Sequence, residues 1–81
     1  MIQLYYAPTC PFCVRVLDFL AQENIPFEKK ELQLGQDGPV RQELMQLTGK
    51  GQVPYLVDPE REVSMHESGD IIDYLQQHYA K

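Results

Sequence analysis

The sequence predicts an α/β domain, a four-stranded mixed sheet with three flanking helices in the order β-α-β-α-β-β-α. Three observations predict it. The chain has 81 residues, long enough for one domain over 1–81 and too short for two. Two strongly β-prone runs, "IQLYY" at 2–6 and "VPYLVD" at 53–58, stand apart from stretches whose apolar residues recur with a helical period. The first strand, the helix after it and a second strand read as a βαβ unit, which pairs parallel strands through a right-handed crossover, and a later hairpin can add antiparallel to the same sheet.

Residues 2–6 alternate poorly, as a strand covered on both faces does. From Pro11 to about residue 23, polar Arg15, Asp18 and Gln22 recur at i, i+3 and i+7 while Val14, Val16, Leu17, Phe19, Leu20 and Ala21 fill the other faces. This predicts a mostly buried helix ending near Asn24. In "PFEKKEL", Phe27 and Leu32 bracket four consecutive charges, a composition that suits a short edge strand. "GQDG" is a loop, and Pro39 opens a second helix with Val40, Leu44 and Leu47 on one face and Gly49 as its stop. The run 53–58 and the short "EVSM" form a hairpin across the turn Asp58-Pro59-Glu60-Arg61. Ser68 caps a last helix whose Ile71, Ile72, Leu75 and Tyr79 share a face. No internal repeat, linker or low-complexity segment interrupts this order.

Twelve acidic against seven basic residues give a net charge of −5, which argues against nucleic acid or an anionic membrane as the main partner, since both are polyanions. No apolar run approaches the roughly 20 residues that a membrane span needs, and "MIQLYYAP" lacks the basic start and apolar stretch of a signal peptide. The chain reads as cytoplasmic. Thiols in a reducing compartment stay reduced unless they cycle, so its two cysteines, Cys10 and Cys13, are placed to act rather than to staple.

Cys10 follows the first strand and precedes Pro11, a residue favoured at the first helical position, so Cys10 falls at or next to the N-cap. Its sulfur faces unpaired N–H groups and the positive end of the helix dipole, which favour a thiolate nucleophile. Cys13, one turn further in and less exposed, has the place of a resolving thiol. A zinc site needs four ligands, and the remaining candidates His66 and His78 are twelve positions apart rather than three to five. The plainer alternative is a pair of small buried hydrophobes.

"CPFC" together with "QVPYL" and "ESGDIIDYL" resembles the glutaredoxins of the thioredoxin-like superfamily, over essentially the full chain. The resemblance implies a thioredoxin-like fold. It also implies an enzyme in which Cys10 attacks the disulfide between a protein and glutathione and a second glutathione releases it, Cys13 being needed only for protein disulfides. Val53-Pro54 resembles the family's segment whose proline is cis and whose preceding residue holds the substrate's cysteine like an extra strand. Glutathione's γ-glutamyl end would then meet the start of the last helix, with Ser68 and the N–H donors beside it for the carboxylate and Glu67 and Asp70 for the ammonium. Tyr5, Tyr6, Phe12 and Tyr55 are candidate groove walls, and Tyr5 is equally a core residue.

Two departures qualify the likeness. His66-Glu67 stands where many glutaredoxins have a Gly-Gly pair, and Glu67-Ser68 looks instead like the N-terminal domain of glutathione S-transferases. Ala7 replaces a lysine that helps bind the glycine carboxylate, which leaves Lys50 and Gln52 as candidates for that contact; Arg15 resembles another basic residue of the family and equally fits a polar helix stripe. The implied partners are glutathione as co-substrate and glutathionylated or disulfide-bonded proteins, with a monomeric chain, no nucleic acid, no membrane and no metal. The alternatives are a glutathione-ligated iron–sulfur carrier, against which Pro11 argues, and a glutathione-binding transferase-like domain.

Overall fold

The unbroken apolar run near the N-terminus becomes the centre of the sheet. In the computed structural model, which describes residues 1–80, β1 (Gln3–Tyr6) has a neighbour on each side, and Leu4, Tyr5 and Tyr6 are buried. It pairs in parallel with β2 (Glu28–Glu31), Gln3 opposite Glu28, and antiparallel with β3 (Tyr55–Asp58), Tyr5 opposite Tyr55. β4 (Val63–Met65) completes the hairpin on β3, so the strand order is β2-β1-β3-β4. The charged β2 lies at the edge as expected, its Lys30 bridging Glu28 at 3.1 Å and Glu43 at 3.4 Å. Charges along an edge discourage pairing with another chain.

Successive residues of β1 face opposite ways, and this sorts the helices into layers. Tyr5 and its neighbour Tyr55, ring centroids 5.9 Å apart, face α2 (Pro39–Thr48), where the Tyr5 hydroxyl donates to Glu43 Oε1 at 2.6 Å. Tyr5 is therefore a core residue. Tyr6 faces the other layer and meets Leu17 and Leu20 of α1 (Pro11–Gln22), beside which α3 (Ser68–His78) packs. Leu4, Val16, Leu20, Leu56, Ile71 and Leu75 form the buried heart of the domain.

The helices bury less than their composition predicts. α1 encloses only Cys13, Val16 and Leu20, while Val14 is 39% exposed and Ala21 is also at the surface. α2 buries only Leu44 and leaves Leu47 57% exposed, because α1 and α3 pack against each other rather than against α2. The ends follow the sequence signals more closely. α1 stops before Asn24, which takes a left-handed φ of 54°, and α2 stops at Gly49 with φ 78°. Nothing lies within 4 Å of where a Gly49 side chain would begin, so Gly49→Ala meets only the backbone cost of that conformation. Thermal unfolding of this variant is expected to show a loss of about 1 kcal/mol.

Asp58, a turn residue by its sequence context, is instead a buried anchor at 1% exposure. Its carboxylate accepts from the Tyr74 hydroxyl at 2.6 Å, the Tyr79 hydroxyl at 2.7 Å, Arg61 at 3.3 Å and the Glu60 amide at 3.2 Å. Arg61 also donates to the Tyr79 hydroxyl at 2.9 Å and lies over its ring. Burial pushes the Asp58 carboxyl upward, but the hydrogen bonds from Tyr74, Tyr79 and Arg61 outweigh it and hold the group down at about 2. The cluster ties the end of the β3–β4 hairpin to the C-terminal end of α3.

Candidate active site

The two cysteines have different surroundings because one stands before α1 and the other inside it. Cys10 is the N-cap, in an extended conformation (φ −85°, ψ 119°), and Pro11 is the first helical residue. Pro11 has no N–H, and the Val14 amide returns to the Cys10 carbonyl at 3.0 Å, so the amides of Phe12 and Cys13 are the free donors at this end. The Cys10 amide itself donates to the Ala7 carbonyl at 3.1 Å, folding the strand-to-helix corner tightly.

Cys13 is fully buried, whereas Cys10 keeps 9% of its surface. Burial pushes the Cys13 thiol up to about 12, and a hydrogen bond to Cys10 works in the same direction against an opposing one from the Ala7 backbone. Both cysteines are free thiols. At neutral pH Cys13 is thus held protonated, and Cys10 is the less buried of the two thiols.

Next to this corner lies a cavity of about 140 Å³ lined by Phe12, Gln52, Val53, Pro54, His66, Glu67 and Ser68. The Val53–Pro54 peptide bond is cis, as the resemblance implies. Pro54 precedes the sheet rather than lying in it, since β3 begins at Tyr55. Gln52, Val53, Pro54, Glu67 and Ser68, dispersed in sequence, therefore meet in one place. Lys50 does not line the cavity: it is exposed, its backbone held by the Thr48 hydroxyl, which donates to the Lys50 carbonyl at 2.7 Å and accepts from its amide at 3.2 Å. Arg15 is exposed on α1, and Tyr6 lines a separate groove of about 550 Å³ at the far end of that helix, which carries no thiol.

Ser68 is buried but is not the cap. Glu67 holds the N-cap position with extended backbone (φ −74°, ψ 128°), its carbonyl taking the Ile71 amide at 2.8 Å, and Ser68 is the first helical residue. A capping serine needs to stand one residue outside the helix, and here the chain enters α3 one residue earlier than the Ser signal indicates. Asp70 lies in the first turn, where its charge complements the helix dipole. Phe12 is 58% exposed and brings the start of α1 to the cavity lining. His66 is the lining residue that the sequence motifs left without a role; its place directly before Glu67-Ser68 is the only signal that could have found it.

The family model of the glutathione S-transferase N-terminal domain matches residues 4–81. The chain belongs to that family. Its thioredoxin-like fold carries the glutaredoxin likeness too: the chain is 32% identical over 56 residues to an uncharacterized glutaredoxin-like 8.6 kDa protein from Clostridium pasteurianum, covering 69% of this chain and 72% of that protein. It is 31% identical over 80 residues to the disulfide-bond oxidoreductase YfcG of Escherichia coli (strain K12), covering 93% of this chain and 37% of the relative. The crystal structure of glutaredoxin 2 from Salmonella typhimurium in complex with glutathione superposes with a TM-score of 0.75 at 29% identity, covering 94% of this chain and 33% of that one. This transferase N-terminal domain thus spans about a third of the length of the Escherichia coli and Salmonella proteins.

Proposed function

We propose that this domain binds glutathione and catalyses glutathione-dependent thiol–disulfide exchange, with Cys10 as the nucleophile. The observation that carries the reading is the pairing of an N-cap thiol that keeps part of its surface with a fully buried, protonated one, next to a cavity lined by Pro54, Glu67 and Ser68. In the first step the Cys10 thiolate attacks the glutathione sulfur of a mixed disulfide. The Cys10–glutathione bond forms, the old disulfide breaks, and the partner leaves as a thiolate that takes a proton from solvent. In the second, the thiolate of another glutathione attacks the bound glutathione sulfur, giving glutathione disulfide and free Cys10.

The Val53 backbone holds the cysteine of the bound glutathione, Gln52 reaches its glycine carboxylate, Ser68 and the amides at the start of α3 take its γ-glutamyl carboxylate, and Glu67 takes its ammonium. Lys50, at the surface of the loop that leads to Gln52, is the nearest sequence neighbour with a positive charge for the glycine carboxylate. Glutathionylated or disulfide-bonded proteins are the proposed macromolecular partners, and the cytoplasm the proposed compartment.

The family match favours a second reading, conjugation of glutathione to electrophiles. Two assays on the wild-type chain separate them. The exchange reading expects NADPH consumption, through glutathione reductase, when a small glutathione mixed disulfide is supplied, and no appreciable conjugation of a chromogenic electrophile. Conjugation without disulfide turnover would reverse the order of the two readings.

A further inference from the structure

His66 occupies the cavity wall between Pro54 and Glu67-Ser68, its ring stacked on Tyr55 with centroids 4.5 Å apart and planes tilted by 39°. One of its two ring nitrogens, Nδ1, is closed off from solvent and has no hydrogen-bond partner among the described residues. Buried polar atoms without partners are uncommon and call for an explanation. A neutral imidazole carries one proton, and the two nitrogens compete for it. Placed on Nδ1, that proton would make a buried N–H with no acceptor, the costlier kind of orphan; left bare, Nδ1 is an under-used acceptor, which proteins tolerate better. The proton therefore belongs on Nε2, the nitrogen that the protein does not close off.

We propose that His66 is a ligand-binding residue of this site: held by Tyr55, it presents Nε2–H to the cavity as a donor for a carbonyl or carboxylate oxygen of the bound glutathione. The proposal rests on the reading of the site as a glutathione site and adds a contact to it. Tyr55 in turn leans on Tyr5, which is hydrogen-bonded to Glu43 of α2. The donor is thus fixed through Tyr55 and Tyr5 to α2, which packs on the same face of the sheet, and its orientation is set before the ligand arrives.

The test measures the Kd of S-methylglutathione, which cannot exchange disulfides, for the wild-type chain and three variants by calorimetry. His66→Phe keeps the ring on Tyr55 and removes both nitrogens; it is expected to weaken binding about fivefold, the worth of one neutral hydrogen bond, with an unchanged or raised Tm because the orphaned Nδ1 is gone. His66→Gln, whose amide N–H reaches the place of Nε2, is expected to recover most of the affinity, and His66→Asn, which imitates Nδ1, is not. In the wild type, the imidazole ¹⁵N shifts are expected to report the Nε2–H tautomer and to move at Nε2 on adding S-methylglutathione. Wild-type affinity in His66→Phe, equal behaviour of the Gln and Asn variants, or an Nε2 signal indifferent to the ligand would overturn the proposal. A wild-type chain that binds no S-methylglutathione would overturn the glutathione reading itself, and this contact with it.

Discussion

Cys10→Ser is expected to remove glutathione-dependent reduction of a small mixed disulfide, lowering kcat/KM by about a thousandfold or more, because the hydroxyl cannot form the covalent intermediate. Cys13→Ser is expected to keep activity within about threefold of wild type on the same substrate, since glutathione itself performs the second attack. The asymmetry follows from position. Cys10 stands outside the helix with part of its surface open, and Cys13 is sealed inside with its thiol pushed up to about 12 by burial. A protein disulfide is the substrate that separates the roles further: there the Cys13→Ser variant is expected to stall. Equal loss in both variants, each folded by circular dichroism, would mean that Cys13 is essential even where glutathione resolves the intermediate.

Asp58→Ala is expected to cost about 3 kcal/mol and to lower Tm by roughly 15 °C, since it leaves two tyrosine hydroxyls and Arg61 around an empty site. Asp58 lies at the other end of β3 from Pro54, so the activity per folded molecule is expected to stay near wild type. The same carboxylate adds an acid dependence of defined sign. Its pKa is lower in the folded chain, about 2, than the 3.8 of a free side chain, so its contribution is complete above about pH 5 and is lost as pH falls through 3.8 toward 2. Denaturant unfolding at pH 6 and pH 2.5 is expected to show wild type losing more stability than Asp58→Asn, by about 2 kcal/mol. Parallel losses in the two proteins would contradict the assignment.

What the sequence made legible was local. Cys10, Pro11 and Cys13 lie within one turn, and the rule that Pro opens a helix places the thiol at its N-cap without any tertiary information. Gly49 ends α2 for an equally local reason, its left-handed φ. The cavity lining came instead from resemblance, which brought Gln52, Val53 and Pro54 together with Glu67 and Ser68 across a hairpin that periodicity alone does not position. Asp58 was hidden because its partners Tyr74 and Tyr79 are 16 and 21 residues away, while Asp58-Pro59 reads as turn chemistry on its own. His66 was hidden because its environment, Tyr55 and the cavity wall, exists only once β3 and β4 pair. Leu47 shows the same limit from the apolar side: helical spacing assigns it a face, and the packing of α1 and α3 against each other rather than against α2 leaves Leu47 in solvent.

The most direct measurement is the intact mass of the folded chain after incubation with glutathione disulfide, made on Cys13→Ser and on Cys10→Ser. The account predicts one glutathione on Cys13→Ser, carried by Cys10 and released by reduced glutathione, and none on Cys10→Ser while it remains folded. An unmodified Cys13→Ser chain, or an adduct on Cys13 in the folded Cys10→Ser chain, would contradict the claim that Cys10 is the thiol that accepts glutathione.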